Sequence, residues 1–168
     1  MKAAPEARIG QGFDAHRLVV GRPLRLGGIE VPHDRGLEGH SDGDVLLHAV
    51  TSALLGALGE GDLGVHFPPD DERWRGADSG DLLARVVGRL RERGLALGNL
   101  DATVIAQEPR LAPFREAMQQ RLAELLGAER GRVNVKLTST DRLGAIGRGE
   151  GIAAEAVLWL RPAAEVPP

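Results

Sequence analysis

The stretch that most limits how this chain can fold is VLLHAVTSALLGAL, residues 45–58, which contains no charged side chain. It reads as a strongly apolar helix, and a helix apolar all round has to be buried by the rest of the chain. Ser41, Asp42 and Asp44 precede it as helix-capping residue types, and Gly59 follows as a stop. One histidine, His48, lies on about its first turn. Alone in such a helix it would more often be a satisfied core histidine than a ligand.

The 168 residues suffice for one domain with a sizeable core and are too few for two comfortable ones. A single domain over residues 1–168 is expected, with 1–7 and the proline-bearing 161–168 as frayed tails. No apolar run approaches the roughly 18 residues of a membrane span, and the first residues lack the pattern of a signal peptide. Both point to a cytoplasmic protein with no membrane partner. The net charge of −3, without a stretch of Arg free of acids, argues against nucleic acid as a partner. Cysteine is absent, so a disulfide or a thiolate metal ligand is excluded and any metal must sit on His, Asp or Glu.

Along the chain, residues 8–13 read as a first strand and 24–31 as a hairpin broken by Gly27-Gly28. After the apolar helix, residues 59–78 keep no period and carry two adjacent prolines, a loop long enough to suggest function or mobility. A helix over 79–93, a strand over 100–106, a helix over 114–126 and a strand over 133–140 follow. The glycine-rich turn at 143–151 leads to a last strand at 152–160. This order suggests an α+β fold, a mixed sheet with helices packed on one face and the other face free for a partner.

Asp14 and His16 are two apart, so on a strand they share a face. With His48 they offer one carboxylate and two imidazoles, a set that suits zinc and leaves a fourth position for substrate. A surface turn with polar residues explains an Asp-x-His equally simply. At the helix start, capping explains Ser41 and Asp42. His40, just before the cap, lies where backbone N–H groups favour an anion. Thr138, Ser139, Thr140 and Asp141 form a polar run at a strand end, which an alternating Thr strand also explains. The segment Gly144 to Gly151 has too many glycines for core but lacks the pattern and the Lys of a phosphate-binding P-loop.

Taken together, these segments resemble the 2-C-methyl-D-erythritol 2,4-cyclodiphosphate synthase family from residue 8 to about 160. IGQGFDAH (9–16), GHSDGDVLLH (39–48), GDLG (61–64), GADS (76–79) and GRGEGI (147–152) carry the resemblance. It implies that Asp14, His16 and His48 bind one Zn²⁺ per subunit. It implies that His40 and Ser139 stabilise the transition state, and that Asp14, Ala15, His16, His40 and Ser41 meet the substrate. Asp62, Leu63 and Gly64 would hold the methylerythritol portion, under a mobile segment of Phe67, Pro68, Pro69, Asp70 and Asp71. Ala106, Gln107, Glu108, Pro109, Arg110, Leu111 and Ala112 would wrap the cytosine. Thr138, Ser139, Thr140 and Asp141 would hold the diphosphate, Asp141 with a second divalent cation, Mg²⁺ or Mn²⁺; Ala145 and Arg148 complete the set.

The implied assembly is a homotrimer with the sheets lining its inside and nucleotide-substrate sites between subunits. The implied reaction converts 4-diphosphocytidyl-2-C-methyl-D-erythritol 2-phosphate to the 2,4-cyclodiphosphate and CMP. A zinc phosphohydrolase and a non-catalytic nucleotide- or isoprenoid-binding trimer are the competing readings. The chain departs from the family pattern where Ser139 replaces a usual Thr, Asp141 a Glu, Arg110 a Lys, Ala145 a frequent Phe and Ser52 an Asp.

Overall fold

The structure, a computed structural model, describes residues 6–163. Its frame is a mixed sheet of order β4-β1-β7-β5-β6, built from β4 (Arg35–Leu37), β1 (Arg8–Val20), β7 (Gly151–Pro162), β5 (Leu95–Ile105) and β6 (Val133–Thr138). Only β5 and β6 run parallel; β1 pairs antiparallel with β4 and β7, and β7 with β5. A separate hairpin joins β2 (Leu24–Leu26) to β3 (Ile29–Val31). The helices are α1 (Val45–Leu58), α2 (Leu63–His66), α3 (Ser79–Glu92), α4 (Arg115–Leu126) and α5 (Gly144–Gly147).

The expected α1 forms as read: twelve of its residues are buried and Gly59 closes it in the left-handed conformation. Its N-cap is Asp44, whose fully buried carboxylate accepts from Leu47 N at 3.0 Å, Gly27 N at 2.9 Å and Gly28 N at 2.7 Å. The turn of the hairpin is thereby bound to the start of the helix, where a negative group is favoured.

Along β1, Gly10 and Gly12 present no side chain to α1, and the helix lies directly on their backbone. A methyl group on Gly10 would fall 1.9 Å from the Ala53 carbonyl oxygen, and one on Gly12 2.0 Å from that of Ala49. This close approach sets α1 across the strand just before Asp14 and His16.

Burial alternates along the strands, and one sheet face is covered. Ala156, Leu158 and Leu160 point into the core while Glu155, Val157 and Trp159 point away. The uncovered face carries large apolar groups: Ile9 is 76% exposed, Phe13 59% and Trp159 39%.

Several sequence boundaries need correction. The first strand continues beyond 13 to Val20, because after Phe13 it still pairs with β7 and then with β4, a strand the sequence did not reveal. The strand expected at 100 begins at Leu95, and that expected at 133–140 ends at Thr138. The helix at 79–93 ends at Glu92 and that at 114–126 begins at Arg115. The 59–78 loop contains α2 and a 3₁₀ turn at Glu72–Trp74, and α5 lies within the glycine-rich turn. Of the expected tails, 1–5 and 164–168 lie outside the described residues. Arg161 and Pro162 belong to β7, paired with Ala96 and Leu95. Pro162 is tolerated there because, among the described residues, β1 pairs with β7 only as far as Leu160 and leaves β5 as the neighbour of Pro162.

Candidate active site

Asp14 and His16 lie on the helix-facing side of β1, and His48 is one turn into α1. Asp14 Oδ2 stands 2.7 Å from His16 Nε2 and 2.9 Å from His48 Nδ1, and the two nitrogens are 3.1 Å apart. Burial alone would raise the Asp14 carboxyl, but the two imidazoles hold it well below the usual carboxylate range. Burial would likewise lower His16; its bond to Asp14 outweighs that and raises it.

Protons alone serve this cluster badly. If both imidazoles donate to the same oxygen, two hydrogens crowd the 3.1 Å gap between the nitrogens. One cation replaces both. Zinc bonds of about 2.0–2.1 Å in tetrahedral geometry separate ligands by roughly 3.3 Å, so the three atoms would fit after opening by about 0.2–0.6 Å. Among the described residues these three form the only such donor group. A zinc ion held by these three would have one tetrahedral position open to a ligand.

The triad opens into a cavity of about 270 Å³ lined also by His40, Ser41, Leu63, Gly64, Phe67, Pro69, Trp74 and Leu82. The chain around His40 and Ser41 is tied down on both sides. Arg22 donates to the carbonyls of Gly39 at 2.8 Å and Ser41 at 2.7 Å, while Gly76 N donates to His40 O at 2.7 Å. Phe67 meets Trp74 edge-on with centroids 5.0 Å apart, and the Arg85 guanidinium covers the indole at 5.3 Å.

Capping of α1 does not account for Ser41 and Asp42, since Asp44 caps that helix. Ser41 Oγ instead lies 3.0 Å from His48 Nε2, and Asp42 bonds Ser79. Of the other residues expected here, Asp62 caps α2 by accepting from Val65 N at 3.1 Å. Asp71 caps the 3₁₀ turn and pairs with Arg73, and neither Pro68 nor Asp70 lines the cavity.

The segments expected to hold the nucleotide line a second cavity of about 420 Å³, bordered by Ala106, Gln107, Pro109, Arg110, Leu111, Ala112, Leu137, Thr138 and Ser139. Parallel pairing of β5 with β6 brings both lining segments together. Glu108 is exposed and bound by Arg35 of β4, which also donates to Gly149 O at 2.9 Å. Thr140 and Asp141 lie just past the cavity, where Asp141 N donates to Ser139 Oγ at 3.3 Å. Ala15 and Ala145 line a smaller hollow beside His16, and Arg148 pairs with Glu150.

Sequence reasoning missed Arg22, Arg35, Trp74, Ser79 and Leu82. For Ser79 the GADS block was a signal; the others carry none, because Arg22 and Arg35 act across many residues of chain and Trp74 and Leu82 reach the cavity only through the path of the loop and of α3.

The frame and the site can be compared with known proteins. The model of the YgbB family matches residues 7–161. The 2-C-methyl-D-erythritol 2,4-cyclodiphosphate synthase of Geobacillus kaustophilus is 58% identical over 154 residues, covering 92% of this chain and 98% of that protein. Among solved structures, the CDP complex of IspF from Plasmodium falciparum superposes with a TM-score of 0.84 at 30% identity, covering 96% of this chain and all of that one. The bifunctional IspDF of Campylobacter jejuni matches with a TM-score of 0.88 at 44% identity over 92% of this chain, which spans 42% of that larger one. By sequence and by fold alike, the chain belongs to the YgbB family, together with the 2-C-methyl-D-erythritol 2,4-cyclodiphosphate synthases.

Proposed function

We propose that the chain is a cytoplasmic lyase of the non-mevalonate isoprenoid pathway. It converts 4-diphosphocytidyl-2-C-methyl-D-erythritol 2-phosphate to 2-C-methyl-D-erythritol 2,4-cyclodiphosphate and CMP. The observation that carries this reading is the three-donor cluster opening into a cavity on this family's frame. A 2-phosphate oxygen attacks the β-phosphorus, the bond from that phosphorus to the oxygen bridging to the α-phosphorus breaks, and CMP leaves with the electron pair. The nucleophile is already ionised, so no protein base is required, and catalysis rests on positioning and charge stabilisation. Zinc held by Asp14, His16 and His48 would supply Lewis-acid polarisation of a phosphate oxygen.

The remaining work falls to the chain itself. His40 and Ser41 border the cavity beside the triad and meet the reacting phosphates. Leu63, Gly64, Phe67 and Pro69 enclose the carbon skeleton, and Asp62 sets the turn that presents them. The cavity between residues 106–112 and Thr138 takes the cytidine, with Ser139 beside the diphosphate. Asp141 belongs to no other cluster of acids or imidazoles among the described residues. A second divalent ion there, Mg²⁺ or Mn²⁺, would therefore draw its other ligands from the diphosphate.

The two halves of the site belong to neighbouring subunits of a homotrimer. Within one chain, paired positions Ala15, Ala153, Ile105 and Thr138 form one row across the sheet. Two strand spacings to the end of β5 and three to β6, roughly 10–14 Å, thus separate the zinc half from the nucleotide half of the same chain. The hollow bounded by Ala145 and Ile146 intervenes. The apolar uncovered sheet face with Ile9, Phe13, Val157 and Trp159 suits burial against other subunits.

Product analysis tests the reaction. Incubation with the substrate and zinc should release CMP in step with a cyclic diphosphate, identified by its ³¹P spectrum. A linear product would establish a phosphohydrolase instead, and binding without CMP release a non-catalytic protein.

A further inference from the structure

His48 offers Nδ1 to the metal cluster, and its other ring nitrogen faces two hydroxyls. His48 Nε2 lies 3.0 Å from Ser41 Oγ and 3.0 Å from Ser79 Oγ. His48, Ser41 and Ser79 are all buried, with Ser79 only 1% exposed. The two serines are not equivalent. Ser79 Oγ donates to Asp42 Oδ1 at 2.5 Å, and Ser79 N donates to Asp42 Oδ2 at 3.1 Å. A carboxylate only accepts, so the Ser79 hydrogen is committed to Asp42 and its oxygen is left to accept. Ser41 Oγ accepts from Gly43 N at 3.3 Å, and it borders the cavity.

We propose that Asp42 and Ser79 are positioning residues that hold His48 in the tautomer with hydrogen on Nε2, so that the Nδ1 lone pair is aimed at the metal. The order of donation is His48 Nε2–H to Ser79 Oγ, and Ser79 Oγ–H to Asp42. A ring whose far nitrogen donates along a fixed path is a better and better-aimed ligand. The same arrangement frees the Ser41 hydrogen from His48; its one protein acceptor is Ser79 Oγ at a long 3.5 Å, so it can turn to a phosphate oxygen in the cavity. Sequence separation makes the relay a tertiary device. Asp42 precedes α1 and Ser79 is the first residue of α3, and they are held together where Asp42 N donates to Ala77 O at 3.0 Å. The inference rests on the metal reading of the triad and not on the identity of the reaction.

The test uses zinc alone as probe, with no substrate. Zinc affinity of the full chain is measured by competition with a chromogenic chelator. Ser79→Ala should weaken zinc by about 10- to 100-fold, and Asp42→Asn should weaken it in the same direction. Because the two act through one path, the double variant should lose little more than Ser79→Ala alone. ¹⁵N shifts of the His48 ring in the zinc-loaded protein should report hydrogen on Nε2 in the wild type and partial loss of that ordering in Ser79→Ala. Ser41→Ala should leave zinc affinity within about threefold of wild type, since Ser79 still accepts from Nε2. Thermal unfolding of the zinc-free variants keeps a general loss of fold apart from a loss of affinity. Equal zinc affinity of folded Ser79→Ala and wild type, or strictly additive losses in the double variant, would overturn the relay. A wild type that holds no zinc would overturn the metal reading and the relay with it.

Discussion

Gly12 sits against the carbonyl of Ala49 so closely that a methyl group there would lie 2.0 Å from the carbonyl oxygen and 2.7 Å from Ala53 N. His48 is the residue before Ala49, and Asp14 follows Gly12 by two positions on the same strand face. The contact therefore sets the spacing between the two parts of the Asp14, His16 and His48 cluster. Gly12→Ala should force α1 away from β1, costing on the order of 1–3 kcal/mol or more of stability and much of the zinc affinity. Denaturant unfolding and metal analysis of the purified variant measure both. Full zinc occupancy would mean that the helix is not held in place by this contact.

Loss of a ligand should act on the metal more than on the fold. His48→Ala removes one of three donors at the cavity wall, and zinc content should fall to a small fraction of one per chain. Activity should drop by more than about a hundredfold, since even supporting residues of metal sites cost up to that much. Elemental analysis after dialysis, with gel filtration to follow assembly, provides the check. Retention of stoichiometric zinc would move the metal elsewhere.

Glu60 illustrates a pH effect with a defined sign. Its side chain is 8% exposed and is gripped by Arg89 and Arg93, while Arg93 also donates to the Leu58 carbonyl at 2.8 Å at the end of α1. Burial alone would raise its carboxyl, but the Arg89 and Arg93 guanidiniums, with a contribution from His66, hold it below the ordinary value of 4.5. A depressed carboxylate contributes stability above its unfolded value and loses that contribution as pH falls through the folded one. Glu60→Gln should thus be clearly less stable than wild type at pH 7, and the difference should shrink as pH is lowered beneath about 4.5. Urea midpoints of both proteins across that range decide it. A constant difference would show that packing, not charge, is what the side chain supplies.

A site shared between subunits can be read from mixing. His48→Ala disables the proposed zinc half, and the Ser139→Ala, Asp141→Ala double variant the proposed nucleotide half; each should be nearly inactive alone. Unfolded and refolded together in equal amounts, random rings should pair an intact zinc half with an intact nucleotide half at about a quarter of interfaces. Activity near a quarter of wild type is expected. If mixed trimers form and remain inactive, both halves belong to one chain.

The amino-acid sequence determined the features that depend on near neighbours. The period-two spacing of Asp14 and His16, the apolar run of α1, and the stops at Gly59 and Gly127 all express contacts within a few positions along the chain. Donor chemistry placed His48 in the same set, and the resemblance carried by residues 39–48 supported it. What the tertiary structure alone decided are relationships between distant segments. Strand β4 exists because β1 runs on to Val20, and Arg35 on it binds Glu108. Ser41 and Asp42 looked like caps, but Asp44 took that role and freed them to face His48 and Ser79. Such pairings depend on how α1 and α3 pack against the sheet, and that packing is settled by the sum of many burial and close-contact terms rather than by any local pattern.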